Sequence, residues 1–103
     1  MDKWYVYFFP EREKEEPAIK IGYSKHPIKR LKQLQTGHPT RIGSEGWLEL
    51  GDKLMAQIHE HFLHQSFNKE RIRRNGEWFK YTDKIKTYVE SLYKKENFTR
   101  YYY

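Results

Sequence analysis

The stretch PAIKIGYSKHPIKRLKQLQTGHP, residues 17–39, gathers residue types that handle phosphate. An apolar run turns on Gly22, and eight residues later Arg30 stands in a segment that also carries Lys25, Lys29 and Lys32. A guanidinium is a planar fork matched to phosphate oxygens, and a glycine lets backbone come close to a ligand. Further cations follow at Arg41 and in the loop-like run NKERIRRNGEWF, which supplies Arg71, Arg73 and Arg74. Together these side chains form the basic patch expected of a surface that grips a nucleic-acid backbone. His59, His61 and His64 invite a metal-cluster reading, but the three positions do not share one helical face and read as solvated histidines.

The bulk composition agrees with an anionic partner. Lys and Arg exceed Asp and Glu by 20 to 14, giving a net charge of +6 and a pI near 9.5. Nucleic acid is favoured over a membrane because no segment reads as an amphipathic anchor. With 103 residues, 37% hydrophobic and 17% aromatic, the chain suits one domain, residues 1–103, whose core leans on large rings. The absence of cysteine excludes a disulfide framework and a cysteine-ligated zinc site. No leader and no membrane-length apolar run is visible, so the expectation is an intracellular, cytoplasmic protein.

The elements that must position these residues follow from pattern. WYVYFF (residues 4–9) suits a central strand, with Tyr5, Tyr7 and Phe9 on one face and Trp4, Val6 and Phe8 on the other. AIKIGY reads as a second strand, paired with the first as a hairpin across the charged loop PEREKEEP, which reads as solvated. Pro27 and Gly37 bracket a helix with Ile28, Leu31 and Leu34 in a stripe. EGWLEL is a third strand, and a helix after Gly51-Asp52 shows Leu54, Met55, Ile58 and Phe62 as its apolar face, with Met55 filling core space. Thr82-Asp83 opens a last helix with Ile85, Val89 and Leu92 inward, and residues 96–103 read as a poorly structured tail. The expected fold is α/β (α+β), a small three-stranded mixed or antiparallel sheet flanked by helices in the order β-β-α-β-α-α.

These pieces resemble the GIY-YIG nuclease superfamily, closest to its phage and bacterial T5orf172 or Mug113-like branch. Tyr5-Val6-Tyr7 stands where the first strand's Gly-Ile-Tyr would be, and Lys20-Ile21-Gly22 where the second strand's Tyr-Ile-Gly would be. Arg30 falls at the offset of the superfamily's helix arginine, and LKQLQTGHP, IHEHF and GEWF resemble further signatures of the branch. The resemblance implies that Tyr7 is the first-strand tyrosine and Arg30 the phosphate arginine. It also implies that Lys20 replaces the second-strand tyrosine, with Tyr23 offering a phenol nearby. His59 stands as the helix histidine. A helix glutamate four residues before that histidine would hold one divalent metal, and counting back from His59 reaches Met55, a poor ligand for a hard cation. Asp52, Glu60 and Glu77 are the carboxylates that could substitute.

The resulting expectation is a nucleic-acid-binding domain with a degenerate metal site and weak or no hydrolysis. Its catalytic-type residues would be Tyr7, Lys20, Tyr23, Arg30 and His59; its backbone contacts would come from Lys25, Lys29, Lys32, Arg41, Arg71, Arg73 and Arg74. The alternative is an active endonuclease that hydrolyses DNA phosphodiester bonds with Mg²⁺ or Mn²⁺. DNA is favoured over RNA as the ligand. A partner protein or self-association is plausible, because a scaffold of this kind without a specificity domain needs another means of choosing its site.

Overall fold

The computed structural model describes residues 2–73 and 76–103. Strand β1 (Trp4–Pro10) and strand β2 (Ala18–Ser24) form the expected antiparallel hairpin, with Tyr7 opposite Gly22 and Phe9 opposite Lys20. Helix α1 (Pro27–Thr36) follows, then strand β3 (Gly46–Gly51), helix α2 (Lys53–Ser66), a short 3-10 turn, strand β4 (Trp78–Lys80), helix α3 (Asp83–Leu92) and strand β5 (Phe98–Thr99). Among the described residues the sheet has five strands in the order β4-β2-β1-β3-β5, all neighbours antiparallel. The expectation of three strands and a β-β-α-β-α-α order is therefore corrected. The two additional strands span three and two residues, too few to show an alternation, and the exposed edges of β2 and β3 recruit them.

The tail is also structured. Ser44 and Tyr103 exchange backbone hydrogen bonds of 3.0 and 3.1 Å, Phe98 is buried, and the Tyr101 ring lies 5.1 Å from that of Trp47. Its aromatic side chains find partners distant in the sequence, which residues 96–103 alone could not reveal.

Strand alternation splits the core in two. Tyr7, Phe9 and Trp47 pack with Leu31 of α1 on one face, while Val6, Phe8, Ile19 and Ile21 pack with residues of α2 and α3 on the other. Ile85, Val89 and Leu92 form the inner stripe of α3 as expected. In α1 only Leu31 of the expected stripe is fully buried, and Ile28 is exposed.

Helix α2 departs most from expectation. Asp52 caps it by accepting a 2.9 Å hydrogen bond from the Met55 backbone N–H. The face read as core is turned out: Leu54, Met55, Ile58 and Phe62 are 62, 50, 54 and 62% exposed. The buried positions are Ala56, Leu63 and His64, and the Glu60 side chain is only 12% exposed. Met55 fills no core space. Polar side chains occupy part of the inward face of α2, against the usual rule for amphipathic helices, so its apolar stripe is not its buried one. The loop after β1 also hides a polar anchor. Glu11 is buried and accepts from the Ala18 N–H at 2.9 Å and Thr40 Oγ1 at 3.1 Å, with His38 Nε2 at 2.7 Å.

Candidate active site

The site is built around Gly22. A Cβ there would stand 2.6 Å from Tyr7 Cζ and 3.0 Å from Glu77 Oε1, so only glycine lets the phenol lie across β2 at this register. Tyr7 is 1% exposed, and its hydroxyl accepts a hydrogen bond from the Arg30 guanidinium carried on α1. Burial raises its pKa to about 12, with the Arg30 hydrogen bond pulling the other way, so the phenol is neutral near pH 7. Tyr7, Arg30, Tyr23, Trp4, Lys53 and Glu77 line an open cleft of about 310 Å³.

Four groups enter from elements distant in the sequence. Glu77, just before β4, has its carbonyl accepting from the Ile21 N–H at 3.1 Å and its carboxylate 3.4 Å from Lys20 Nζ. Gln57 of α2 donates to Tyr23 Oη at 3.0 Å, and Lys53 lies over the Trp4 ring at 5.5 Å. Glu60, also from α2, turns inward: burial raises its pKa to about 7, the Glu77 charge adds to this, and Lys20 and Arg71 oppose it. One oxygen, Glu60 Oε2, is buried with no hydrogen-bond partner. Such an atom carries a desolvation cost unless something binds it.

Four residues after Glu60, His64 holds β2 from the other side. Its Nε2–H donates to the Ile21 carbonyl at 2.7 Å, which leaves Nδ1 unprotonated, and burial lowers its pKa. Nδ1 stands 3.8 Å from Glu60 Oε1, close enough for charge coupling and too far for a hydrogen bond. The expectation that His64 is solvated is corrected: it is buried, with its ring near that of Phe79.

His59, by contrast, packs toward α3, with Nε2 at 3.5 Å from Tyr88 Oη, and does not line the cleft. The glutamate-before-histidine spacing expected at Met55 and His59 is present at Glu60 and His64. Both pairs are four residues apart, and only the latter is turned toward Tyr7 and β2. The sequence contains that spacing twice, and His64 lies two residues beyond IHEHF, the third histidine after His59 and His61. Asp52 serves as the helix cap, so of the three substitute carboxylates Glu60 and Glu77 are the ones near the cleft.

The expected phosphate-contacting cations are dispersed. Lys25, Lys29 and Lys32 line a separate depression of about 650 Å³ with Tyr5 and Trp47, and Lys25 pairs with Asp2 at 2.9 Å. Arg41 lies over the Tyr103 ring, 3.5 Å from Glu13. Arg71 packs over Phe79, where its charge reaches Glu60, and Arg73 borders a second depression beside Trp78. Arg74 lies outside the described residues.

Among the described residues, no group of three or more His, Cys, Asp or Glu side chains could hold a metal ion. Mg²⁺ and Mn²⁺ are commonly held by one or two carboxylates with water and substrate phosphate oxygens, and Glu60 offers a partnerless oxygen. Among the described residues no helix is long and apolar enough to cross a membrane. A family model described as the T5orf172 domain matches residues 4–95. No curated protein and no solved structure matches the chain.

Proposed function

The chain belongs to the T5orf172 domain family, associated with a GIY-YIG-like nuclease fold, and on that premise we propose that it is a divalent-metal-dependent endonuclease acting on DNA. The observation that carries this reading is the buried, partnerless oxygen of Glu60 beside a cleft lined by Tyr7, Arg30 and Glu77. The degenerate-site reading depended on Met55, which is half exposed and not turned into the cleft.

Glu60 would hold one Mg²⁺ or Mn²⁺ ion, which when bound would stabilise charge on the leaving oxygen of the phosphodiester. Arg30 binds the oxygens of the scissile phosphate and offsets the charge that grows on them during attack. Tyr7 acts as a neutral phenol. Its oxygen already accepts from Arg30, which leaves its proton free to hydrogen-bond the phosphate. Tyr23, whose oxygen accepts from Gln57, orients the same substrate. Lys20 pairs with Glu77, and that carboxylate is the group that takes the proton from the attacking water. His64 is a positioning residue: it fixes the Ile21 carbonyl, and with it the bend of β2 at Gly22.

The test is nicking of supercoiled plasmid at low salt with Mg²⁺, Mn²⁺ or EDTA, with DNA binding measured in parallel. Wild type should cut only with metal, and Arg30→Ala and Glu60→Gln should each lose at least about 100-fold in rate, the scale of one lost transition-state contact. A wild type that binds DNA but never cuts it would favour a second reading, binding without turnover. The observation behind that reading is the Lys20–Glu77 ion pair in place of a second-strand tyrosine.

A further inference from the structure

The outward face of α2 concentrates apolar surface that the fold does not use. Leu54, Met55, Ile58 and Phe62 are each half exposed or more. The other exposed large apolar side chains among the described residues, Ile28, Ile72, Tyr102 and Tyr103, lie on α1, beyond the 3-10 turn and in the tail. At about 100° per residue the four α2 positions form one stripe about 100° wide, with Ile58 near its middle. Taking about 150–250 Å² for a large side chain, such exposures leave about 400 Å² of apolar surface on the stripe. A contiguous patch of that size on a monomer is often an interaction surface.

Charge and shape select the occupant. The exposed positions of α2 from Leu54 onward carry no Asp, Glu, Lys or Arg, in a chain of net charge +6 in which 33% of residues are charged. DNA would need cations here. An interfacial helix on a bilayer has a cationic polar side, whereas the opposite face of α2 packs against the sheet. A second copy needs neither, because two uncharged faces close without bringing the excess cations of both chains into contact. The stripe is also self-complementary. Leu54 and Phe62 stand four residues either side of Ile58, about 6 Å along the helix. An antiparallel pair with its two-fold axis at Ile58 sets Phe62 of each copy beside Leu54 and Met55 of the other, ring against thioether. A parallel pair would instead juxtapose the two helix N-termini and the two Lys53 ammonium groups. The two stripes supply about 800 Å², and the flanking Gln57, His61 and Gln65 bring the total to about 1,200 Å², the lower end for a specific interface.

We infer that the outward face of α2 is the interface of a two-fold homodimer, in which two α2 helices pack antiparallel around Ile58. The inference does not depend on the nuclease reading. Glu60 and His64 lie on the inner side of the same helix and stay with β2 of their own copy. An interface of this size gives a Kd of about 1–100 µM. At the nanomolar protein of a nicking assay the chain is therefore a monomer, and cleavage is read on the monomer.

Sedimentation equilibrium tests this, together with disulfide trapping, for which the cysteine-free chain is a clean background. Wild type should pass from monomer to dimer across about 1–100 µM. Phe62→Glu and Ile58→Glu should each weaken the dimer at least about 30-fold, since each would bury two unpaired carboxylates. Both positions are exposed in the single chain, so both variants should melt like wild type at low concentration. Under mild oxidation Ile58→Cys should give a disulfide-linked dimer. Leu54→Cys alone should not, because its two copies would stand about 12 Å apart along the helices, against about 7 Å at most for a disulfide. Mixed with Phe62→Cys it should give a linked dimer of the two variants. A chain that stays monomeric throughout, with Ile58→Cys unlinked, overturns the inference. So does association that survives Phe62→Glu, or Leu54→Cys linking to itself as readily as Ile58→Cys. A monomer that sediments with phosphatidylcholine–phosphatidylserine vesicles in a Phe62-dependent way overturns it too, and assigns the face to a lipid surface.

Discussion

Replacing Glu60 by Gln should stabilise the metal-free protein at alkaline pH, although the same change removes the proposed metal ligand. Glu60 has its pKa raised from 4.5 to about 7, first by burial and then by the Glu77 charge. The folded state therefore binds this proton more tightly than the unfolded chain, and stability falls as pH rises from about 4.5 to about 7. At about 1.4 kcal/mol per pKa unit the shift corresponds to about 3 kcal/mol. The side chain retains 12% of its exposure, and water in the cleft relaxes part of that cost, leaving about 2 kcal/mol. The assay is thermal and urea unfolding of wild type and Glu60→Gln in EDTA from pH 4 to pH 8.5. The variant should gain about 2 kcal/mol at pH 8, equivalent to about 8–15 °C in Tm for a domain of this size. The gain should vanish near pH 4, where Glu60 is protonated and resembles glutamine. Parallel curves across the whole range would refute the reasoning, because they would mean that Glu60 is solvated in the folded state. A gain with the opposite pH dependence would refute it equally.

Met55→Glu should change plasmid cleavage by less than twofold and stability by less than about 0.5 kcal/mol, since the side chain is half exposed and does not line the cleft; a large gain in cleavage would return the metal to that face of α2. Gly22→Ala should abolish cleavage and cost about 1–3 kcal/mol in urea unfolding, because the new methyl group would overlap the Tyr7 ring. The double variant Lys29→Ala, Lys32→Ala should weaken DNA binding and flatten the log–log salt dependence by about 1–2 units, read from anisotropy titrations at several salt concentrations. Glu11→Gln should cost about 2–3 kcal/mol at pH 7. Burial would raise the Glu11 pKa, but the bonds from His38, Ala18, Thr40 and Lys14 outweigh it and lower it to about 2. That contribution is present above pH 4.5 and fades as the pH falls toward 2, so the two unfolding profiles should converge in acid.

The stability cost at Glu60 and the inverted face of α2 have one origin. A helix that presents Glu60 and His64 to β2 leaves Leu54, Ile58 and Phe62 facing solvent, so the helix is oriented by its polar contacts as well as by its hydrophobic stripe. Functional sites are where local sequence rules and the global fold are expected to disagree.

Much was determined by the sequence itself. The β1–β2 hairpin, the pairing of Tyr7's strand with Gly22's, the start of α1 at Pro27 and the inner face of α3 all follow from alternation, helical period and proline placement, which are local properties of the chain. The Gly22-to-Arg30 offset is local too, because a strand, a short turn and one helical turn fix that distance. Strands β4 and β5 were decided only in three dimensions, since runs of three and two residues become strands only where a neighbouring edge offers them hydrogen bonds. The docking of the final tyrosines and the burial of Glu11 depend on partners far along the chain. So does the choice between two glutamate-or-methionine positions that each precede a histidine by four residues. Helical spacing makes those two pairs equivalent, and only the packing of α2 against β2 decides which one turns toward Tyr7 and β2.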